Sequence, residues 1–407
     1  MNGAVSLRVA LALGMTASLL AGCGGGGSAV PSVSAVQKVQ ISGTITGLLP
    51  GTSVVLQDNG SDDITVTANG TFTFPQDVAA GSAYSVTVPT HPIHETCSVS
   101  NGGGTASATV PPVAVTCAAG PQFVYVANKT DDTVSAYAVD ATTGALTPVP
   151  GSPFATGAGS GPDSIAINAA GSFAYVTGDS NQTVSAFAID ATTGALTAVA
   201  GSPYRGGGLS FPDFVAVNPV GTFTYVVNFN GGVTAYTIDA TTGALALMTG
   251  SPFATGANPQ AVAVNPAGTF AYVANLNGGV AAYSIDATTG ALTPVGSAVA
   301  TGTNPSAIAI TAAGTFAYVV GNGSNSVLAC SIDATTGALT PVGSAVAAGS
   351  SPIAVAVNPA GTFAYVANHG GGVSAYTIDA TTGALTPVTG SPFAAGTGPQ
   401  AVAVAQL

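Results

Sequence analysis

The sequence contains very little charge and no tryptophan. Charged residues make up 5% of the 407 residues, against roughly 25% in an average soluble protein. Only four residues are basic, namely Arg8, Lys38, Lys129 and Arg205, and the net charge is -12. Nucleic acids and anionic membrane surfaces are bound through clusters of basic side chains. We therefore expect no nucleic-acid partner and no direct binding to a membrane surface.

Common catalytic and metal-binding motifs are also absent. The sequence has no serine nucleophile elbow, no His/Cys spacing typical of a metal site and no phosphate-binding loop. Its single glutamate is Glu95. We therefore expect no metal and no cofactor, and whether the protein is an enzyme is left open, with a non-enzymatic role favoured.

What the sequence does contain is a sixfold repeat. The string Asp-Ala-Thr-Thr-Gly-Ala-Leu begins at six positions: Asp140, Asp190, Asp239, Asp286, Asp333 and Asp379. Each copy is accompanied by four short apolar runs without helical periodicity. A repeat of this length with four strands predicts an all-β fold, a β-propeller of six four-stranded blades, with a linear solenoid as the main alternative.

The two ends of the repeat region predict how the ring closes. The first repeat begins with its second strand, at Phe123-Val-Tyr-Val, whereas the last apolar run, Ala401 to Val404, matches a first strand. Pairing these two segments would remove both exposed sheet edges. We therefore expect residues 401–404 to complete the blade that begins at Phe123.

The repeat units resemble those of a known family. Their form is Pro-x-x-Ala-Val-Ala-Val-Asn-Pro-Ala-Gly-Thr-Phe-Ala-Tyr-Val-Ala-Asn, followed by Val-x-Ala-Tyr-x-Ile-Asp-x-x-Thr-Gly-x-Leu. This is similar to the lactonase-type β-propellers, which include bacterial 6-phosphogluconolactonase-like proteins, over about Pro121 to Leu407. The resemblance implies seven blades as an alternative to six and hydrolysis of a lactone as an activity. The family's acidic and basic funnel residues have no residue-by-residue match here.

The N-terminal third divides into three expected segments before the propeller of residues 120–407. Residues 1–22 resemble a lipoprotein signal peptide, with Cys23 as the lipidated residue, and residues 23–38 have the composition of a flexible tether. Residues 39–119 alternate with period two and predict a small antiparallel β-sandwich that resembles immunoglobulin-like or transthyretin-like modules. The expected location is the bacterial cell envelope, lipid-anchored in the outer membrane, either periplasmic or surface-exposed, with the anchor as the only membrane contact.

Export would place the remaining cysteines in an oxidising compartment. Cys97 and Cys117 lie in one segment and are predicted to form a disulfide. Cys330 stands where the other repeats have Tyr or Phe, so we expect a buried free thiol there.

Repeat-identical residues are expected to be structural. The aspartate of each Asp-Ala-Thr-Thr-Gly string can accept hydrogen bonds from nearby amides, and the glycine can adopt positive φ, so turn formation accounts for the motif. The residues that break the repeat at the opposite face are better candidates for binding. These candidates are Lys129, Asp131, Asp132, Asp163, Asp179, Tyr204, Arg205, Asp213, Phe229 and His369.

Three functions remain open from the sequence. The first is a lipid-anchored binding module that presents its mouth to an unknown protein, carbohydrate or other small molecule. The second is hydrolysis of an uncharged lactone, for which Asp163, Asp213, Arg205 and His369 are the catalytic candidates, with an aspartate as base. The third is cell-surface adhesion by a repeat protein.

Overall fold

The computed structural model describes residues 37–49, 52–92, 95–107, 110–140, 143, 145–396 and 398–402. The expected signal peptide, Cys23 and nearly all of the expected tether lie outside these residues. The described chain is built from strands and turns. None of its segments is a helix with the length and apolarity needed to cross a membrane.

Residues 38–119 form two four-stranded sheets, which we call the N-terminal unit. Its strands are β1 (Lys38–Thr46), β2 (Val54–Asp58), β3 (Asp62–Val66), β4 (Gly70–Ala79), β5 (Ala83–Thr90), β6 (Glu95–Ser100), β7 (Gly103–Thr105) and β8 (Val113–Ala119). The sheet orders are β4-β1-β8-β6 and β3-β2-β5-β7. Side chains from both sheets, including Ile41, Leu56 and Phe74, share one buried core.

The prediction of a purely antiparallel unit is wrong at one pair of strands. β1 and β8 run parallel, with Gly43 opposite Val113 and Thr46 opposite Thr116. The rest of the unit connects these two strands, and a connection of that length permits parallel pairing. The disulfide prediction is confirmed, because Cys97 and Cys117 lie directly opposite each other in the antiparallel β6–β8 pair and are bonded.

The propeller follows as six blades in the described residues, and the first three are as follows. Blade 1 contains β9 (Gln122–Asn128), β10 (Thr133–Val139), β11 (Leu146–Pro148) and β12 (Phe154–Ala155). Blade 2 contains β13 (Pro162–Ile167), β14 (Phe173–Gly178), β15 (Thr183–Ile189), β16 (Leu196–Ala198) and β17 (Tyr204–Arg205). Blade 3 contains β18 (Pro212–Val217), β19 (Phe223–Asn228), β20 (Gly232–Ile238) and β21 (Leu245–Leu247).

The other three blades repeat the same antiparallel order. Blade 4 contains β22 (Pro259–Val264), β23 (Phe270–Asn275), β24 (Gly279–Ile285) and β25 (Leu292–Val299). Blade 5 contains β26 (Pro305–Ile310), β27 (Phe316–Gly321), β28 (Ser326–Ile332), β29 (Leu339–Pro341) and β30 (Val346–Ala347). Blade 6 contains β31 (Pro352–Val357), β32 (Phe363–Asn368), β33 (Val373–Ile378) and β34 (Leu385–Pro387).

The hydrophobic cores lie between consecutive blades. Each core combines side chains from two neighbouring sheets, as where Phe223 and Tyr225 of blade 3 meet Val273 and Tyr283 of blade 4. We call the first strands of blades 2 to 6 the inner strands. In blades 2 to 5, the inner strand lies beside the inner strand of the next blade. This convergence of one edge from each of blades 2 to 6 places the inner strands around the central axis.

One contact joins consecutive blades five times. The hydroxyls of Tyr125, Tyr175, Tyr225, Tyr272 and Tyr318 each donate a hydrogen bond to the glycine carbonyl of the Asp-Ala-Thr-Thr-Gly turn one blade ahead. The same glycine packs against the phenylalanine two residues before the tyrosine, so closely that a Cβ atom would collide with the ring. The glycine of this turn is therefore required by packing as well as by its positive φ.

Blade 1 lacks an inner strand of its own among the described residues. β9 pairs with β10 only, and Val126 on β9 is 43% exposed, whereas the equivalent Val176 and Val226 are buried. The expected closing strand is not seen where it can be examined, because Ala401 and Val402 have no strand conformation. Residues 403 and 404 lie outside the described residues, so closure of the ring by the full segment stays a prediction.

Cys330 occupies the predicted environment. Its side chain is fully buried between blades 4 and 5, and it forms no disulfide. Burial raises the pKa of the thiol to about 11. The thiol is therefore protonated at neutral pH and unreactive.

Candidate functional site

One face of the propeller consists of near-identical turns. In blade 3, Asp239 Oδ1 accepts hydrogen bonds from the amides of Thr241 (3.0 Å) and Thr242 (2.8 Å) and from the Thr242 hydroxyl (2.9 Å). These bonds hold the pKa of Asp239 below its usual value, with the Thr242 amide as the largest cause. The structural explanation of the repeated aspartates is therefore confirmed.

The turn between the first and second strands lies on the same face and is closed in a similar way. The amide oxygen of Asn265 accepts hydrogen bonds from the backbone nitrogens of Thr269 (2.8 Å) and Phe270 (2.9 Å). Asn168, Asn218 and Asn358 make the equivalent bonds. On this face, which we call the scaffold face, the repeated Asp and Asn side chains accept hydrogen bonds from the backbone of their own turns.

The opposite face carries two rings of non-identical residues, which together we call the mouth. One ring consists of the residues that directly follow the second strands: Lys129, Asp179, Phe229, Leu276, Asn322 and His369. The other consists of the residues that follow the proline at the head of each inner strand, and of Gln400 after Pro399: Asp163, Asp213, Gln260, Ser306, Ile353 and Gln400. Pairing of Pro162 with Gly178 brings the two rings to the same end of the sheet.

Sequence reasoning found half of the mouth and missed the other half. The members that the sequence analysis singled out, as residues that break the repeat, are Lys129, Asp163, Asp179, Asp213, Phe229 and His369. The other six members, among them Gln260, Ile353 and Gln400, were missed. Superposing the six repeats on their proline and on the end of their second strand would have found them, because the mouth is defined by position rather than by residue type.

Charge is concentrated on one side of the mouth. The ammonium of Lys129 lies 2.8 Å from Asp163 Oδ2 and 3.0 Å from Asp179 Oδ2. Partial burial lowers the pKa of Lys129, but hydrogen bonds and charge attraction from the two carboxylates outweigh it, so the pKa is raised overall. Lys129 is therefore a permanent cation held between blades 1 and 2.

Asp213 is the unusual carboxylate of this group. Burial raises the pKa of Asp213 to about 6, and repulsion from Asp163 and Asp179 adds to the rise, while Lys129 opposes it. Gln260 Nε2 lies 3.5 Å from Asp213 Oδ2 as a hydrogen-bond donor. A half-buried carboxylate with a pKa near neutrality beside charged partners is typical of a functional site.

The structure does not bring all four catalytic candidates together. Arg205 lies on β17, which pairs with β15 at the outer edge of blade 2, and its guanidinium donates to the Asn181 carbonyl at 2.8 Å. His369 Nδ1 accepts a 2.8 Å hydrogen bond from Gln400 Nε2. In the part of the chain that the structure describes, no hydrogen bond or ion pair joins either residue to Asp163 or Asp213. The structure therefore does not place Arg205 among the residues of the mouth, because β17 lies at the outer edge of blade 2.

The remaining candidates have local structural roles or outer positions. Asp132 accepts hydrogen bonds from the amides of Gly159 (2.7 Å) and Gly161 (2.8 Å), and these bonds hold its pKa below the ordinary value, with Gly161 as the largest cause. Asp131 lies exposed in the same turn of blade 1. Tyr204 lies beside Arg205 on β17 and donates to the Ala200 carbonyl. None of these three belongs to the mouth.

Solved structures with the same fold include sugar-lactone proteins. A Bacteroides fragilis protein proposed to be a 6-phosphogluconolactonase is 20% identical, with a TM-score of 0.58 over 91% of this chain and 98% of the other. The periplasmic gluconolactonase PpgL of Pseudomonas aeruginosa is 19% identical, with a TM-score of 0.57 over 69% of this chain and 84% of the other. A Lactobacillus plantarum protein is 19% identical, with a TM-score of 0.57 over 89% of this chain and 98% of the other.

These similarities establish the fold, since identities of this size carry no more than that. No curated protein matches the sequence. The Lactonase family, described as a seven-bladed β-propeller, matches residues 83–210, 203–287 and 276–404. Six blades are formed by the described residues, so the blade count differs from the family description. The matched segments span most of the chain, and the protein belongs to the Lactonase family of β-propellers.

Proposed function

We propose that the protein hydrolyses an uncharged lactone at the mouth, with Asp213 as the general base. The observation that carries the proposal is the half-buried Asp213 carboxylate, whose pKa is raised to about 6 beside the Lys129 cluster. A general base works best when its pKa lies near the working pH, because it is then both deprotonated and basic enough to accept a proton. Membership of the Lactonase family supports the same reaction.

The reaction balances with the groups present. The Asp213 carboxylate takes a proton from water as the water oxygen bonds to the lactone carbonyl carbon. The tetrahedral intermediate then collapses, the ring carbon–oxygen bond breaks, and the departing oxygen receives the proton from Asp213. Two ammonium protons of Lys129 are directed at Asp163 and Asp179, which leaves one for the negative oxygen of the intermediate.

The charge of the mouth argues against a phosphorylated substrate. Asp163, Asp179 and Asp213 together outweigh the one ammonium of Lys129. A phosphate would be repelled by the carboxylates and would compete with them for Lys129. An uncharged lactone that presents hydroxyl groups meets no such repulsion.

The decisive experiment is a lactonase assay of the purified protein on glucono-δ-lactone and on 6-phosphogluconolactone. We expect hydrolysis of the uncharged lactone well above the spontaneous rate. Asp213→Asn should lower the rate by about 10²–10⁴-fold, the usual contribution of a general base. Asp239→Asn is the matched control, since Asp239 serves a turn on the opposite face. Wild-type protein without any rate above background would exclude the proposal.

A binding role without catalysis is the second candidate. It is favoured by the separation of His369 and Arg205 from the aspartates of the mouth. His369 is hydrogen-bonded to Gln400, and Arg205 donates to the Asn181 carbonyl at the outer edge of blade 2. Such a module would hold a carbohydrate or another small molecule, or a protein loop, at the mouth. Saturable binding of a sugar lactone analogue by a hydrolytically inactive wild-type protein would favour this candidate over the first.

We also propose that the protein works in the cell envelope, anchored by lipid on Cys23. The Cys97–Cys117 disulfide supports export, since such bonds persist in oxidising compartments. Labelling of cells with a radioactive fatty acid should mark the wild-type protein and leave Cys23→Ser unmarked. Equal labelling of both would contradict the anchor.

A further inference from the structure

A cavity opens on the mouth face, beside blade 3. It has a volume of about 430 Å³, and its walls are the β19–β20 turn and the segment that leads from blade 3 into β22. This volume lies within the range of small-molecule sites, roughly 300–1,000 Å³. Phe229 forms part of the wall, and the same residue belongs to the mouth. The cavity therefore adjoins the mouth directly.

A residue next to the cavity wall also contacts Asp213. Pro259 lines the cavity, and the next residue, Gln260, is the one whose side chain donates to Asp213 Oδ2. Asp213 and Phe229 both belong to blade 3, at the head of β18 and just after β19. Pro212 pairs with Asn228, and the Phe229 amide donates a 3.0 Å hydrogen bond to the Phe211 carbonyl, so Asp213 and Phe229 lie at the same end of blade 3.

The walls are held in place by packing. Gly256 leaves no room for a side chain, because an added Cβ atom would lie 2.8 Å from the Asn275 side chain. Gly232 has φ of +80°, and an added Cβ atom there would collide with the carbonyl oxygen of Phe253. Asn258 donates from its side chain to the Phe229 carbonyl at 3.3 Å, which ties the two walls together. The cavity is therefore a fixed feature of the fold.

The chemistry of the walls selects a class of ligand. Among the described residues, no charged side chain lines the cavity. The walls offer backbone groups, the polar side chains of Asn230 and Thr255, and the half-buried ring of Phe229. One aromatic face with several neutral hydrogen-bonding groups fits a ring that carries hydroxyls and has an apolar face, which describes a sugar ring.

We propose that this cavity, which we call the Phe229 subsite, binds a sugar ring attached to the lactone, so that the preferred substrate is a disaccharide lactone. The proposal rests on the function proposed for Asp213. It adds the substrate class and assigns Phe229 as a residue that determines specificity. The lactone ring occupies the mouth beside Asp213, and the second ring packs on Phe229.

Steady-state kinetics on two substrates test the subsite. The ratio of kcat/KM for cellobiono-δ-lactone to that for glucono-δ-lactone should be about tenfold or more in the wild type. Phe229→Ala should bring this ratio close to one, since it removes the aromatic face. Val220→Ala is the control, because Val220 is exposed in a turn on the opposite face, and it should keep the wild-type ratio. A wild-type ratio near one, or an unchanged ratio in Phe229→Ala, would overturn the subsite.

A binding measurement separates failure of the subsite from failure of the proposed reaction. Cellobiose itself, titrated calorimetrically into the full chain, should bind saturably to wild type and about tenfold more weakly to Phe229→Ala. Binding of cellobiose without lactone hydrolysis would reject the reaction and keep the subsite. Hydrolysis of glucono-δ-lactone without cellobiose binding and without preference for the disaccharide lactone would reject the subsite and keep the reaction.

Discussion

The hydroxyl of Tyr272 donates a 3.0 Å hydrogen bond to the carbonyl oxygen of Gly337, and this bond joins blade 4 to blade 5. Tyr272 is fully buried, and Phe270, two residues earlier, packs against the same glycine. The contact recurs at five blade boundaries, so a motif that serves a turn within one blade also fixes the blade behind it. The same interface therefore contributes to the stability of the propeller at each of these boundaries.

We expect Tyr272→Phe to destabilise the protein by about 1–3 kcal/mol, because the buried carbonyl of Gly337 would lose its donor. Denaturant titration followed by circular dichroism measures the free energy of unfolding. Tyr365→Phe on blade 6 is the matched control, since this tyrosine is only partly buried, and a smaller loss is expected. Equal losses in the two variants would argue against the hydrogen bond as the cause.

Asp213 should make the free energy of unfolding decrease as pH rises. The pKa of this carboxyl rises from 3.8 to about 6 on folding, so the folded state binds more protons than the unfolded state between these values. The free energy of unfolding that this group contributes therefore decreases as pH rises from about 4 to about 6.

Asp213→Asn removes that decrease. The variant should be more stable than the wild type at pH 7 by on the order of 1 kcal/mol, after allowance for the partial exposure of the carboxyl. At pH 3.5 the two proteins should unfold at nearly the same denaturant concentration. A variant less stable than the wild type at pH 7 would show instead that the surroundings stabilise the ionised carboxylate of Asp213.

Lys129 should tune the pH dependence of the proposed reaction. If Asp213 is the base, kcat/KM rises with pH through about 6 and levels off above it, because the deprotonated carboxylate is the active form. Lys129→Met removes the positive charge that opposes the rise in the pKa of Asp213, so the midpoint of the profile should move to higher pH. Lys38→Met, exposed on β1, should leave the midpoint in place, and a downward shift in Lys129→Met would contradict the assignment.

Closure of the ring by the C-terminal segment can be tested by cross-linking. In blade 4, Val262 of the inner strand lies opposite Val273 of the second strand. The same register would place Val402 opposite Val126, at a distance suitable for a disulfide. The double variant Val126→Cys with Val402→Cys should form a cross-link on oxidation, visible by its shifted mobility on a non-reducing gel.

A shifted register supplies the control for this experiment. Val124→Cys with Val402→Cys should cross-link poorly, because Val124 would lie opposite residue 404 in the same register. Failure of both pairs to cross-link would mean that blade 1 keeps an open edge in solution. That edge would then be available to another strand.

Much of the fold could be predicted from local pattern. The four strands of each blade and both kinds of turn on the scaffold face follow from short-range chemistry, because Asp239 and Asn265 bond to residues no more than five positions away. The Cys97–Cys117 bond and the burial of Cys330 followed from position in their segments. The parallel β1–β8 pair could not be predicted in this way, since it joins the two ends of the N-terminal unit.

The candidate site was only partly predictable for the same reason. Asp163 and Asp213 were expected at the mouth because each follows a proline at the head of an inner strand, and both lie there. Arg205 was a candidate for the same site but belongs to β17 at the outer edge of blade 2. A two-residue strand that joins a sheet from outside leaves no periodic signal in the sequence.

The sequence by itself determined the repeat, the strands and the turns, because each depends on hydrogen bonds and side-chain alternation within about fifty residues. Only the tertiary structure decided which of the irregular residues meet. Lys129 and Asp163 belong to different blades and form an ion pair because the ends of β9 and β13 converge on the axis. The pKa of Asp213 is raised by burial and by charges from other strands, and these are properties of a packed ring that no single repeat contains.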